Sequence, residues 1–243
     1  MCGRFILIQD AISLKNRFKL DIPEGLDLKP SYNISPGQKT AVITSERPGE
    51  LQMYRFGLTP HWAGKPMVLI NARSEGDNNP ADDPEYTGPM AIFDKPAFRK
   101  PIRSQRCLVP ADAYLEGTTK EKLDKPFVIY LRNKVRPFAF AGIWDVWDNP
   151  GTGEKIHSFA ILTIYPNQLI SSIPHHRMPV ILSREDEARW LSPDLTTGEL
   201  SSLMRPYPAG LMNGYPVTPA IKNPKFNNPG LIDPIGPRIF AEN

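Results

Sequence analysis

The sequence predicts an α+β fold, a single domain built on a curled, barrel-like, mainly antiparallel sheet with a few short helices. Proline is abundant, 27 in 243 residues, which opposes long helices and favours short strands joined by rigid turns. Apolar segments recur along the chain and none approaches the ~18 residues of a membrane span. There is no internal repeat and no low-complexity tract, so one domain over 2–243 with Met1 removed is the expected organisation.

The elements follow in order. Asp10 caps a short helix whose Ala11, Leu14 and Phe18 share a face. Lys39 to Ser45 and Leu51 to Leu58 read as strands around a turn at Arg47-Pro48-Gly49. Met67 to Ile70 reads as a strand ending in Asn71-Ala72-Arg73, and Ser74 to Lys100 as a long surface excursion. Arg106 to Val109 is a buried strand. Phe127 to Leu131 and Phe138 to Trp144 form an expected hairpin, and Ser158 to Ile164 a further strand. Ser183, with Asp186 three residues on, starts a helix to about Trp190. The tail from Pro206 is turn-rich.

Composition narrows the function classes. Charged residues are 23% and the formal charge is +3, which permits contact with polyanions without demanding it. Two cysteines, Cys2 and Cys107, cannot make a disulfide framework, so a reducing compartment such as the cytoplasm is expected. The Phe5–Ile8 run is too short for a signal-peptide core. No phosphate-cradling Gly-rich loop, Gly-x-Ser-x-Gly elbow or Cys-x-x-Cys occurs. The four histidines show no metal spacing, so neither metal nor cofactor is expected.

Position 2 carries the chemistry. Removal of Met1 would leave Cys2 with an amine and a thiol on one residue. An α-amino group titrates at about 7.7–8.0 against about 10.4 for lysine, and a thiol at about 8.5. Together they can attack an aldehyde twice, as an imine and then as a thiazolidine ring. Cys107, between Arg106 and an apolar run, reads as a small buried residue. Glu116 is an ordinary surface carboxylate, or a proton acceptor if an amine lies nearby. Asn71 and Arg73 are a turn cap, or an amide and a phosphate ligand at a sheet edge. His175 and His176, beside Arg177 and held between prolines, can give and take protons. Trp62 is a base-stacking platform or core.

These residues occur in ordered blocks: Cys2-Gly3-Arg4, Tyr32-Asn33-Ile34-Ser35-Pro36, Gly57-Leu58 with Pro60 and Trp62, Asn71-Ala72-Arg73-Ser74-Glu75, Arg106 to Asp112, and His175 with Arg177-Met178-Pro179. The set resembles the SRAP (SOS-response-associated peptidase) family along essentially the whole chain. The resemblance implies a barrel-like α+β fold and covalent capture of abasic sites in single-stranded DNA. A cytoplasmic monomer, nucleoid-associated when bound to DNA, is the accompanying expectation. By position the resemblance makes Cys2 the nucleophile. Asn71 aligns the terminal aminothiol, Glu116 accepts and relays its protons, and His175 donates to the opening sugar. It makes Arg4, Asn33, Trp62, Arg73, Arg106 and Arg177 the DNA contacts. An N-terminal-cysteine peptidase or amidohydrolase and a noncovalent single-strand binder are the rival functions. The chain departs from the family pattern around Glu116, where Ala113 replaces a glycine, Leu115 an aromatic and Gly117 a tryptophan.

Overall fold

Short β-prone segments satisfy their backbone groups only by pairing with one another. The computed structural model describes residues 3–241, so Cys2 lies outside the described residues. The strands are β1 (Arg4–Leu7), β2 (Ser31–Ile34), β3 (Lys39–Thr44), β4 (Gln52–Phe56), β5 (Asn71–Arg73), β6 (Arg106–Ala111), β7 (Ala113–Thr118), β8 (Lys122–Leu131), β9 (Phe138–Asp148), β10 (Lys155–Ile164), β11 (Met178–Pro179), β12 (Ile181–Leu182) and β13 (Met212–Pro216). The helices are α1 (Ala11–Phe18), α2 (Pro101–Ser104), α3 (Gln168–Ser172), α4 (Arg184–Leu191) and α5 (Thr197–Leu203).

Five strands close a barrel. β10 pairs β4, β4 pairs β3, β3 pairs β6, β6 pairs β9, and β9 returns to β10. Only the β4–β10 seam of this ring is parallel. A second sheet runs β13-β8-β7-β1-β2. The chain passes between the sheets at Asp112, the one residue separating β6 from β7. There its carboxylate accepts from the amides of Ile8 and Gln9 (2.7 and 3.3 Å), tying the corner to the end of β1. Edge-to-face aromatic contacts among Phe5, Phe56, Phe140 and Tyr114 fill the space between the layers at centroid distances of 5.5–5.9 Å.

The helix caps form as the sequence predicts. Asp10 accepts from Ser13 N at 2.7 Å, and Ser183 from Asp186 N at 3.2 Å. Three expectations fail. The 127–131 and 138–144 segments are not a hairpin: both edges of β8 are taken by β7 and β13, while β9 lies in the barrel. The residues between them carry the chain from one sheet to the other. The strand over Met67 to Ile70 begins instead at Asn71, with a single Leu58–Leu69 bridge before it. The Ser74–Lys100 stretch is no simple surface excursion, since Ser74, Glu75, Ile92 and Phe93 are buried.

Candidate active site

The site is built where β7, the start of β1 and the loop after α3 meet. Side chains on β7 alternate: Ala113 and Leu115 join the small apolar cluster on the outer face of the second sheet, and Tyr114 joins the main core. Glu116 therefore points inward, and it is 4% exposed. β1 runs antiparallel to β7 with Arg4 opposite Leu115, so the chain enters the sheet beside Glu116.

His175 arrives from the other side. Asn167 caps α3 by accepting from Ile170 N at 3.0 Å, and the loop turns back with His175 N on Ile170 O at 3.3 Å. Thr119 N donates to Pro174 O at 3.0 Å, which fixes this loop to the end of β7. His175 Nε2 then lies 3.4 Å from Glu116 Oε1, with both side chains buried.

Burial disfavours the charged form of each partner. It pushes the Glu116 carboxyl up to about 7 and the His175 imidazole down to about 3. The carboxyl is thus shifted toward its protonated form and the imidazole toward its neutral form.

An arginine–carboxylate network borders this pair. Arg177 is buried; its Nη atoms donate to both oxygens of Glu75 (2.9 and 2.8 Å), to Asp82 Oδ1 (2.9 Å) and to Thr163 Oγ1 (3.3 Å). Glu75 is itself fully buried and accepts from Tyr165 N at 2.9 Å. Arg73 ends β5, paired with Thr163 of β10, and its guanidinium meets Asp82 Oδ1 at 2.8 Å. Asn71 shares its face of β5, opposite the fully buried Ala72. His176 Nδ1 contacts Thr119 Oγ1 at 2.8 Å, and its Nε2 is 3.9 Å from Asp82. Arg73, His176 and Arg177 therefore converge around one carboxylate, Asp82. The block carrying Glu75 is visible in the sequence; Asp82 has no such signal, because it sits in the least regular stretch.

The other expected DNA contacts divide by placement. Trp62 is 53% exposed, with its indole N–H on Pro96 O at 3.3 Å, and remains free to stack. Arg4 is half-buried and donates to Asn33 Oδ1 (2.7 Å), Ile221 O (3.0 Å) and Lys222 O (2.9 Å). Asn33 is buried and donates to three carbonyls between Ile221 and Phe226. Together they clamp the C-terminal turns beside the start of β1. Arg106 departs from its expected role. It is fully buried, and its guanidinium donates to Trp190 O (2.7 Å), Ile102 O (3.0 Å), Arg103 O (2.5 Å) and Ser192 O. These carbonyls end α2 and α4, so Arg106 caps two helix C-termini and presents nothing to a phosphate. Arg177, equally buried and already holding two carboxylates, is likewise no open phosphate ligand.

A buried carboxyl–imidazole pair beside an arginine–carboxylate network, carried on a barrel with a second sheet, defines a candidate acid–base site. Residues 1–224 match the family described as SOS response associated peptidase (SRAP), and the chain belongs to that family. It is 37% identical to the abasic site processing protein YoqW of Bacillus subtilis, over 96% of this chain and 99% of that one. It is 28% identical to the abasic site processing protein HMCES of Rattus norvegicus, over 96% of this chain and 76% of that one. A crystal structure of a protein from Bacteroides thetaiotaomicron superimposes with a TM-score of 0.81 at 29% identity, covering 96% of this chain and 99% of that one.

Proposed function

We propose that this protein processes abasic sites in single-stranded DNA by covalent capture through Cys2 after removal of Met1. The observation that carries this reading is the buried Glu116–His175 pair, 3.4 Å apart, set beside the strand on which the chain begins. Only Gly3 lies between Cys2 and Arg4, so the two are at most about 7 Å apart in extended chain. Capture requires that the start of the chain continue along β7 toward Glu116. The names of the abasic site processing relatives agree with such a substrate.

The chemistry balances without a cofactor. His175, as a neutral imidazole, polarises the sugar ring oxygen as the hemiacetal opens to its aldehyde. Glu116 in its ionised form takes a proton from the Cys2 amine. The amine adds to the aldehyde, Glu116 returns its proton to the carbinolamine hydroxyl, which leaves as water to give the imine, and the thiol then adds across the C=N bond, its proton passing to the nitrogen, to close the thiazolidine. Ring closure removes the imine before β-elimination can cut the strand. Holding amine and thiol beside one aldehyde supplies effective molarity. Asn71, on the face it shares with Arg73, is assigned to align the terminus.

The test uses protein whose intact mass shows loss of Met1, a single-stranded oligonucleotide bearing one abasic site, and a denaturing gel. A shifted covalent band is expected. Cys2→Ala abolishes it and retains most noncovalent binding. An undiminished band in that variant rejects the assignment, and turnover of an amide substrate without DNA capture would favour the hydrolase alternative.

A further inference from the structure

We propose that Asp82 is a built-in competitor of the DNA phosphate, which keeps undamaged single strands weakly held at this site. The inference rests on the DNA-capture reading and deepens it.

The geometry is that of an anion already seated. Asp82 Oδ1 lies 2.8 Å from Arg73 and 2.9 Å from Arg177, and Oδ2 lies 3.9 Å from His176. A single carboxylate thus bridges the two arginines whose family blocks mark them for phosphate. Its side chain is 12% exposed while that of Arg73 is 34% exposed, so the guanidinium reaches solvent past the carboxylate that holds it. Two arginines face two carboxylates, Glu75 and Asp82, and the rim carries no net charge for an incoming phosphate to meet.

The two carboxylates are not equivalent. Glu75 is fully buried, binds Arg177 through both oxygens and also accepts from Tyr165 N, so it belongs to the scaffold. Asp82 sits on a turn in the left-handed region (φ 55°). The turn is braced from behind by Asn79, whose side chain bonds Asp83 N and Asp83 O at 2.9 and 3.0 Å. Ala81, Asp83, Pro84 and Glu85 beyond it are exposed. Residues 74–94 hold six carboxylates and no lysine or arginine. A phosphate that takes the place of Asp82 on Arg73, whose guanidinium also donates to Asn79 O, displaces that carboxylate and works against an acidic loop. The undamaged backbone meets this opposition at every register, whereas an abasic site adds a covalent bond that Asp82 does not oppose.

The experiment measures binding of the mature protein to an undamaged oligodeoxythymidylate across a salt series. Asp82→Asn is expected to tighten binding about 3–10-fold at low salt. It should also steepen the slope of log K against log salt by about 0.7, the share of one further phosphate contact on a single strand. With excess undamaged strand present, its cross-linking to an abasic oligonucleotide should be inhibited more than that of wild type. Asp83→Asn removes an equal charge from the same loop without touching Arg73 and serves as control. Asp82→Ser, read in the same way, covers failure of the amide variant to fold. Equal or weaker binding in the Asp82 variants, or an equal gain in Asp83→Asn, overturns the proposal. Absence of any covalent band in wild type instead defeats the underlying function and leaves the undamaged-strand comparison to be judged alone.

Discussion

At the scale of single residues, Glu116 shows that the site is held against the stability of the fold. Its carboxyl is raised by burial from the ordinary carboxylate value of 4.5 to about 7. The folded protein therefore binds the proton more tightly than the unfolded chain, and stability falls as pH rises from about 4.5 through about 7. The difference corresponds to about 3 kcal/mol at full ionisation. His175 works in the opposite window: its depressed value makes folding oppose protonation, so stability falls as pH drops from about 6.5 toward about 3. Glu116→Gln, which cannot ionise, is expected to be more stable than wild type at pH 8 by up to about 3 kcal/mol. The gain should shrink toward pH 5, as read by denaturant unfolding at the two pH values. Its cross-linking rate should fall by at least about tenfold and lose the inflection near pH 7. A variant no more stable at pH 8 than at pH 5, relative to wild type, would mean that Glu116 is well solvated.

At the scale of elements, the sequence was legible where a local rule suffices. Asp10 and Ser183 cap the helices they announce, and β3, β4, β6 and β10 lie where short apolar runs place them. It was illegible where partners are distant. Phe127–Leu131 and Phe138–Trp144 look like a hairpin because they are close in sequence, but pairing follows the free edges of each sheet. The departure at Gly117 has a local cause in the hairpin geometry. A Cβ there would lie 1.7 Å from the carbonyl oxygen of Lys122, in the irregular step between β7 and β8. No side chain fits while the hairpin keeps this register, and the tryptophan of the family pattern is sterically excluded. Gly117→Ala is expected to cost about 2 kcal/mol, a melting shift of roughly 5 °C. Because Glu116 is its neighbour, the cross-linking rate should fall as well. Calorimetry and the gel assay check the two effects, and a variant unchanged in both would show that the hairpin shifts register without cost.

At the scale of the whole molecule, charge decides what the basic residues do. The chain carries only +3, and Arg4, Arg73, Arg106 and Arg177 are its phosphate-ligand candidates on sequence alone. The fold sorts them by what they face: Arg106 faces helix ends, Arg177 faces Glu75 and Asp82, and Arg4 faces Asn33 and the C-terminal turns. Such assignments depend on contacts far apart in the chain, as with Arg4 and Ile221, and no local pattern encodes them. Arg73 remains the guanidinium of the set with a substantial open face beside the acid–base pair. Few phosphates are then neutralised, and binding should depend on salt only modestly, with a slope of about −1 to −2 for two or three contacts on a single strand. Arg73→Gln is expected to weaken binding to an undamaged oligonucleotide by roughly tenfold at low salt and to make that slope shallower by about 0.7. The effect should be the same for strands of different sequence, because phosphate contacts carry no base information. Anisotropy titrations at several salt concentrations read both quantities. An unchanged slope would mean that Arg73 stays with Asp82 when DNA binds, and that the strand is held by other cations of the surface.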